Sequence, residues 1–379
     1  MTPFTVHVVF GTRPEAIKLA PLVRAMRRSP ALDPVVISTG QHRELLDTLL
    51  DTLQLRCQHQ LAAMVADQSL CDLTSRMVQR LGNLFATQRP DVLLVHGDTA
   101  TAFAGAVAGF YERIPVAHIE AGIRSGTPVT PFPEEFHRTA IARLTRWHFP
   151  STDAAARNLL AEGVDPVDIE VTGSTAVDSL RWAMAGGLGR SAFTPGSLRN
   201  VLVTLHRRES QDGRIERVTQ ALTALAGPGT DVVILLHRNP AVRRDLLAAA
   251  ANAAGPARFV EPLDYLDFVR TLAEADLVLT DSGGVQDEAT ALGKRMLVLR
   301  ERTDRPEAVD AGTAEVIGLH PPDVVDRARR EIGHPPPRRA DIATDGPFGD
   351  GRSAERIVRR LSADLAVHAQ PRGNVLSGR

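Results

Sequence analysis

Cysteine is nearly absent, with Cys57 and Cys71 the only two in 379 residues. Two cysteines so spaced make neither a disulfide framework nor a metal-ligand set, and a reducing, cytoplasmic setting is the simple expectation. Lysine is as scarce: Lys18 and Lys294 stand alone in an arginine-rich chain. That bias reads as GC-rich codon usage, and it draws attention to each retained lysine. No apolar run approaches the roughly 20 residues that span a bilayer. The opening MTPFTVHVVFGTRPE has no basic n-region, so neither a signal peptide nor a membrane partner is expected. The formal net charge of -1 gives no reason to expect nucleic acid. G-x-G-x-x-G is missing too, and the second strand ends in Thr39-Gly40-Gln41-His42 where a dinucleotide site would carry an acid.

What is present is a long alternation of short Val/Ile/Leu runs with helical patterns. The predicted strands are 6–10, 35–39, 92–96, 116–120, 148–150 and 169–172, then 201–205, 232–236, 258–260, 277–280, 295–299 and 315–317. Near-continuous apolarity marks parallel strands covered on both faces, and the alternation marks doubly wound α/β units. The chain is too long for one ordinary core. The Gly/Pro/Ser-rich stretch Met184–Asn200 breaks the pattern, so two Rossmann-like domains are predicted at 1–184 and 185–352, facing across a cleft. Residues 353–379 would supply a last helix, Ser353–Ala366, and a tail.

An acidic series carries the chemistry: Asp98 in VHGDT, Glu120 in HIEAG, Glu134 in PFPEEF. Two of these acids end apolar runs, where ligands of open α/β sheets bind. Each has a plainer explanation available. Asp98 would cap the next helix, worth ~1 kcal/mol, and Glu134 would match a helix dipole. Glu120 has no such role. Arg13 and Lys18, in FGTRPEAIKLAPL, lie at a helix N-terminus that favours anions. Asp281-Ser282-Gly283-Gly284 joins a strand to a helix as a phosphate cradle, with Glu288 about one turn on. Arg302 and Arg305 follow in the next loop, Arg302 more simply as a solvated surface residue. His206 and His237 each end a strand of the second half, and His206 suits a proton donor to a leaving oxygen. His96 and His118 read as core or supporting histidines.

As an ordered set, FGTRPEAIKLAPL, TGQHRELLD, VHGDTATA, HIEAGIRSG, PFPEEFHR, VTLHRRES, TDSGGVQDEA and RPEAVDAGT resemble the non-hydrolysing UDP-N-acetylglucosamine 2-epimerase family. The resemblance implies a GT-B type fold whose C-terminal helix packs back toward the N-terminal domain. It implies interconversion of UDP-GlcNAc and UDP-ManNAc through a 2-acetamidoglucal, without cofactor or metal, by a homodimer. By motif match Asp98, Glu120, Glu134 and His206 would be catalytic. Arg13, Ser282, Gly283, Gly284 and Arg305 would hold the diphosphate, Glu288 the ribose and Phe268 the uracil, with Lys18, Gln41 and His237 as further substrate contacts.

Three positions depart from the family. Asp67 stands where many members carry Gly or a basic residue beside an activating second UDP-GlcNAc, so weakened activation is expected. His137 and Ser174 stand where asparagine is usual. The rival readings are a hydrolysing relative that releases ManNAc and UDP, a glycosyltransferase of the same fold, and a nucleotide-sugar sensor without catalysis. The full set of acids argues against the last two.

Overall fold

The computed structural model describes residues 2–40, 43–65, 68–127, 130–206, 213–334, 342–343 and 345–369. Gln41, His42, Asp67, Arg207, Arg208 and the Pro-rich stretch after His334 lie outside the described residues. By internal contact the chain divides into two compact units, Met1–Ser179 with Gly351–Arg379, and Leu180–Asp350. Both are α/β and Rossmann-like, each built on one parallel six-stranded sheet.

The first sheet comprises β1 (Phe4–Phe10), β2 (Leu32–Ser38), β3 (His59–Gln60), β4 (Val92–His96), β5 (Val116–Ile119) and β6 (Trp147–Phe149). Its order is β3-β2-β1-β4-β5-β6, so the direction in which strands are added reverses between β1 and β4, all strands remaining parallel. The helices are α1 (Arg13–Arg28), α2 (Arg43–Thr52), α3 (Leu70–Thr87), α4 (Ala100–Tyr111), α5 (Glu134–Leu144) and α6 (Asp153–Ala161). Local chemistry sets their starts. Thr12 and Glu15 form a reciprocal capping box on α1, Ser69 and Asp72 another on α3, and Thr99 and Thr152 cap α4 and α6. Helix α4 is rich in Ala and Gly because it lies close on the sheet. A Cβ at Gly109 would stand 2.8 Å from Leu93 Cδ2, and one at Gly105 would stand 3.1 Å from Val95 Cγ1. Val9, Ile37, Leu93, Val95, Val116, Leu81, Phe85 and Ile141 fill the core.

Helix α7 (Thr175–Gly186) runs from the first unit into the second. The second sheet comprises β7 (Arg199–Thr204), β8 (Thr230–Leu235), β9 (Arg258–Val260), β10 (Leu277–Thr280), β11 (Arg295–Val298) and β12 (Ala314–Val316). Its order, β12-β11-β10-β7-β8-β9, repeats the reversal between β7 and β10. Around it stand α8 (Arg214–Thr223), α9 (Pro240–Ala251), α10 (Tyr265–Glu274), α11 (Gly283–Ala291), α12 (Pro306–Asp310) and α13 (Pro321–Gly333). Val201, Val203, Val232, Ile234, Leu277, Leu279 and Leu297 form its core with Val218, Leu246 and Val324.

The last helix, α14 (Ser353–Ala369), returns to the first unit and packs on α1. Asp178 of α7 caps it, accepting from Ser353 N at 3.1 Å and Ala354 N at 2.8 Å.

Two strand expectations are corrected. Residues 169–172 make only an isolated bridge, Ile169 to His148, because a short 3-10 turn at Pro166–Asp168 and a positive-φ Gly173 leave no length for a ladder. The two-residue β3, polar His59-Gln60, was not predicted and pairs with the end of β2. Among the described residues no helix is long and apolar enough to cross a membrane.

Candidate active site

In open α/β sheets ligands bind beyond the carboxyl ends of the strands where strand order reverses. In the first unit that place lies between β1 and β4. Arg13 follows β1, Asp98 follows β4 and Glu120 follows β5. Gly11 permits the tight exit from β1, since a Cβ there would meet Thr101 Oγ1 at 2.1 Å and Thr39 Oγ1 at 2.6 Å.

Glu120 is a non-glycine residue at φ 60, a left-handed conformation that costs of order 1 kcal/mol. Its carboxylate is ion-paired with Lys18, both side chains being about one-tenth exposed, and His96 Nε2 lies 3.8 Å from the same oxygen. Gly97 is seated against it, because a Cβ there would be 3.7 Å from Glu120 Oε1. The turn carrying Asp98 and the turn carrying Glu120 therefore touch. Lys18, expected among the nucleotide contacts, pairs with one of the acids.

Asp98 does not cap α4, because Thr99 does, accepting from Ala102 N at 3.1 Å. The Asp98 carboxylate is bound to Arg138 Nη2 at 2.9 Å, and its carbonyl accepts from His137 Nδ1 at 2.9 Å. A carbonyl can only accept, so Nδ1 carries the proton. His137 stacks on Phe103, with centroids 4.8 Å apart and planes 8° from parallel. Burial holds its pKa below the usual value, and the charge of Glu134 opposes that trend. Glu134 is half-buried as the first residue of α5, the helix whose His137 and Arg138 hold Asp98.

Beneath them lies Glu15, which the sequence reading did not single out although Thr12-x-x-Glu15 has capping-box spacing. Its Oε2 accepts from Gly11 N (3.0 Å), Thr12 N (2.8 Å) and Thr12 Oγ1 (2.8 Å), while Oε1 accepts from Thr99 Oγ1 at 2.7 Å. Burial pushes its pKa up in spite of these bonds. Glu15 thus ties the Arg13 turn to the Asp98 turn. His118 is a supporting histidine as expected: burial pushes it down to about 3, and its Nε2 donates to Gly97 O at 2.7 Å.

In the second unit the reversal lies between β7 and β10. His206 follows β7, and its backbone N–H is held by Asp281 at 2.9 and 3.1 Å. Its exposed ring meets His237 edge-on, with centroids 5.0 Å apart. His237 Nδ1 accepts from Asn239 N at 3.0 Å. Ser282 is the N-cap residue of α11, yet its side chain makes no capping bond, so the first N–H groups of α11 remain to meet an anion. Arg305 lies beside them: a Cβ on Gly283 would be 3.6 Å from its Nη2. The guanidinium is buried and fixed by Asp287, Nε to Oδ1 2.9 Å. Gly284 follows in the first turn of α11. Glu288 is buried one turn later and already accepts from Tyr265 Oη at 3.0 Å, a partner not foreseen from sequence. Phe268 is half-buried on α10, and Arg302 is exposed as expected. Gln41 lies outside the described residues.

Comparison with known proteins bears on these features directly. The family model described as UDP-N-acetylglucosamine 2-epimerase matches residues 24–362. The chain is 42% identical over 376 residues to a probable UDP-N-acetylglucosamine 2-epimerase of Ralstonia solanacearum, covering 95% of this chain and 99% of the relative. It is 40% identical over 367 residues to the UDP-N-acetylglucosamine 2-epimerase of Bacillus subtilis, covering 95% and 96%. The crystal structure of the Neisseria meningitidis UDP-GlcNAc 2-epimerase bound to UDP-GlcNAc superposes with a TM-score of 0.87 at 36% identity, covering 94% of this chain and 99% of that one. The chain belongs to the UDP-N-acetylglucosamine 2-epimerase family.

Proposed function

We propose that this isomerase interconverts UDP-GlcNAc and UDP-ManNAc without net hydrolysis, by eliminating UDP across C1–C2 and adding it back. No carbonyl activates the C2–H bond. One carboxylate takes the C2 proton as the C1–O bond to UDP breaks and C1=C2 forms. Another then returns a proton to the opposite face while a UDP oxygen attacks C1. The sequence is redox-neutral. The observation that carries the reading is that Asp98 and Glu120 end neighbouring strands, each held by a buried cation, Arg138 and Lys18, with Glu134 opening the helix that carries Arg138. General acid–base groups so placed contribute about 10²–10⁴-fold.

The departing diphosphate is assigned to Ser282, Gly283, Gly284, Arg305 and Arg13, with His206 on its oxygen. Fixed donors and buried positive charge are the strongest stabilisers of such a leaving group. Glu288 takes the ribose together with Tyr265, and Phe268 the uracil, while Gln41 and His237 add substrate contacts. The reading includes a cytoplasmic homodimer. The names of the bacterial relatives, UDP-N-acetylglucosamine 2-epimerase, support the epimerase reading.

Incubation with UDP-GlcNAc in D2O, followed by NMR, tests it. UDP-ManNAc bearing deuterium at C2 is the expected product, and D98N is expected to abolish exchange while still binding UDP. Free ManNAc would identify a hydrolase, and an inert sugar would sink the enzymatic reading.

A further inference from the structure

Resting on that reading, we propose that Arg138 is a positioning residue that couples the turn bearing Asp98 to the loop that follows Glu120. Arg138 is 3% exposed on α5, a helix that carries neither of those turns. On one side it binds Asp98 Oδ2 at 2.9 Å. On the other, its Nε lies 3.5 Å from Glu135 Oε2, and both oxygens of Glu135 accept from Ser125 N, at 3.1 and 3.2 Å. Ser125 belongs to the loop that leaves Glu120. A path of ion pairs and hydrogen bonds thus runs from Asp98 through Arg138 and Glu135 to the Glu120 loop.

The same loop is clamped further along by Arg124, which grips Glu162 with Nε at 2.7 Å and Nη2 at 2.8 Å. Gly122 is pressed so close to α6 that a Cβ would stand 2.2 Å from Ala155 O. These contacts fix the loop to the body of the unit, while Arg138 fixes it to Asp98. Two carboxylates that work in turn on opposite faces of one carbon need a set spacing, and an error near 1 Å costs about 10²-fold in rate. A planar guanidinium suits this task because its fork addresses two carboxylates at once, which a lysine does not. Stability alone is a poor reason for the arrangement, since apolar replacements of buried ion pairs are often neutral.

The test compares wild type, R138M and R138K in the deuterium-exchange assay, with melting temperature and UDP affinity measured alongside. For R138M, kcat is expected to fall by about 10²–10³, with KM within about threefold and UDP affinity unchanged. The acidic limb of its pH profile should move upward, because Asp98 loses the cation that favours its charged form. R138K keeps the charge and loses the fork, so its pH limb should stay in place while kcat recovers about tenfold over R138M. If R138M does not fold, R138K alone still decides: a kcat within twofold of wild type would overturn the coupling. So would a folded R138M with unimpaired kcat, or one impaired only in KM. Absence of exchange in wild type would overturn the functional reading and this inference with it.

Discussion

Lys18 and Glu120 are 102 positions apart in sequence and form one buried ion pair. Nothing in the spacing of their motifs announces it, which is why Lys18 reads from sequence as a nucleotide contact. The structure makes a different prediction. In K18M, Glu120 would keep its place at φ 60 but lose its counter-charge, and exchange at C2 should slow by about 10–10²-fold with UDP affinity unchanged. A large loss of UDP affinity in isothermal titration would restore the nucleotide role. Asp98 shows the same limit on sequence reasoning. Its place at a strand end is legible from the apolar run before it, while its partner Arg138 is 40 residues away on another element. Thr99, one position later, takes the cap that the sequence offers to Asp98. What sequence conveys about the site is therefore which strand end each acid occupies. Who holds its charge depends on tertiary packing.

Among the elements, the parallel strands were the most legible, because burial on both faces forces continuous apolar runs. The failures came where a strand is short or polar, as in β3, or where neighbouring turns cut a ladder to one bridge at Ile169. Helix starts were legible wherever a cap residue lies in the helix's own sequence. Helix α14 is capped from elsewhere in the chain. Its cap is Asp178, 175 residues earlier, holding two buried N–H groups. D178A should cost about 1–3 kcal/mol by leaving those donors unpaired, read as a lower urea midpoint. Asp178→Asn should lose less, since one acceptor oxygen remains; equal losses for Asn and Ala would show that the cap is not the cause.

At the scale of the whole molecule, buried histidines make the first unit sensitive to acid. Burial pushes His7 and His148 down to about 4 and His118 to about 3, and all three belong to the first unit. Unfolded, each takes up a proton near pH 6.5. Below that pH the unfolded state holds more protons than the folded one, so stability falls as pH falls, levelling only near the folded values. Three such sites give a slope of about 3 kcal/mol per pH unit between roughly pH 6 and 4, steepest at about 4 near pH 5. Urea melts across that range should show it, and H148Q should remove about a third of the slope. A flat profile would mean that these rings accept protons without unfolding.

The two lysines offer an experimental handle. Lys18 is 8% exposed and lies in the first unit; Lys294 is 6% exposed and lies in the second, its Nζ bonded to Ala273 O. The α-amino group aside, an amine-directed reagent meets no exposed target on the described fold. Acylation of Lys18 then clocks the opening of one unit and acylation of Lys294 that of the other, so peptide mapping by mass spectrometry separates their lifetimes without any engineered label.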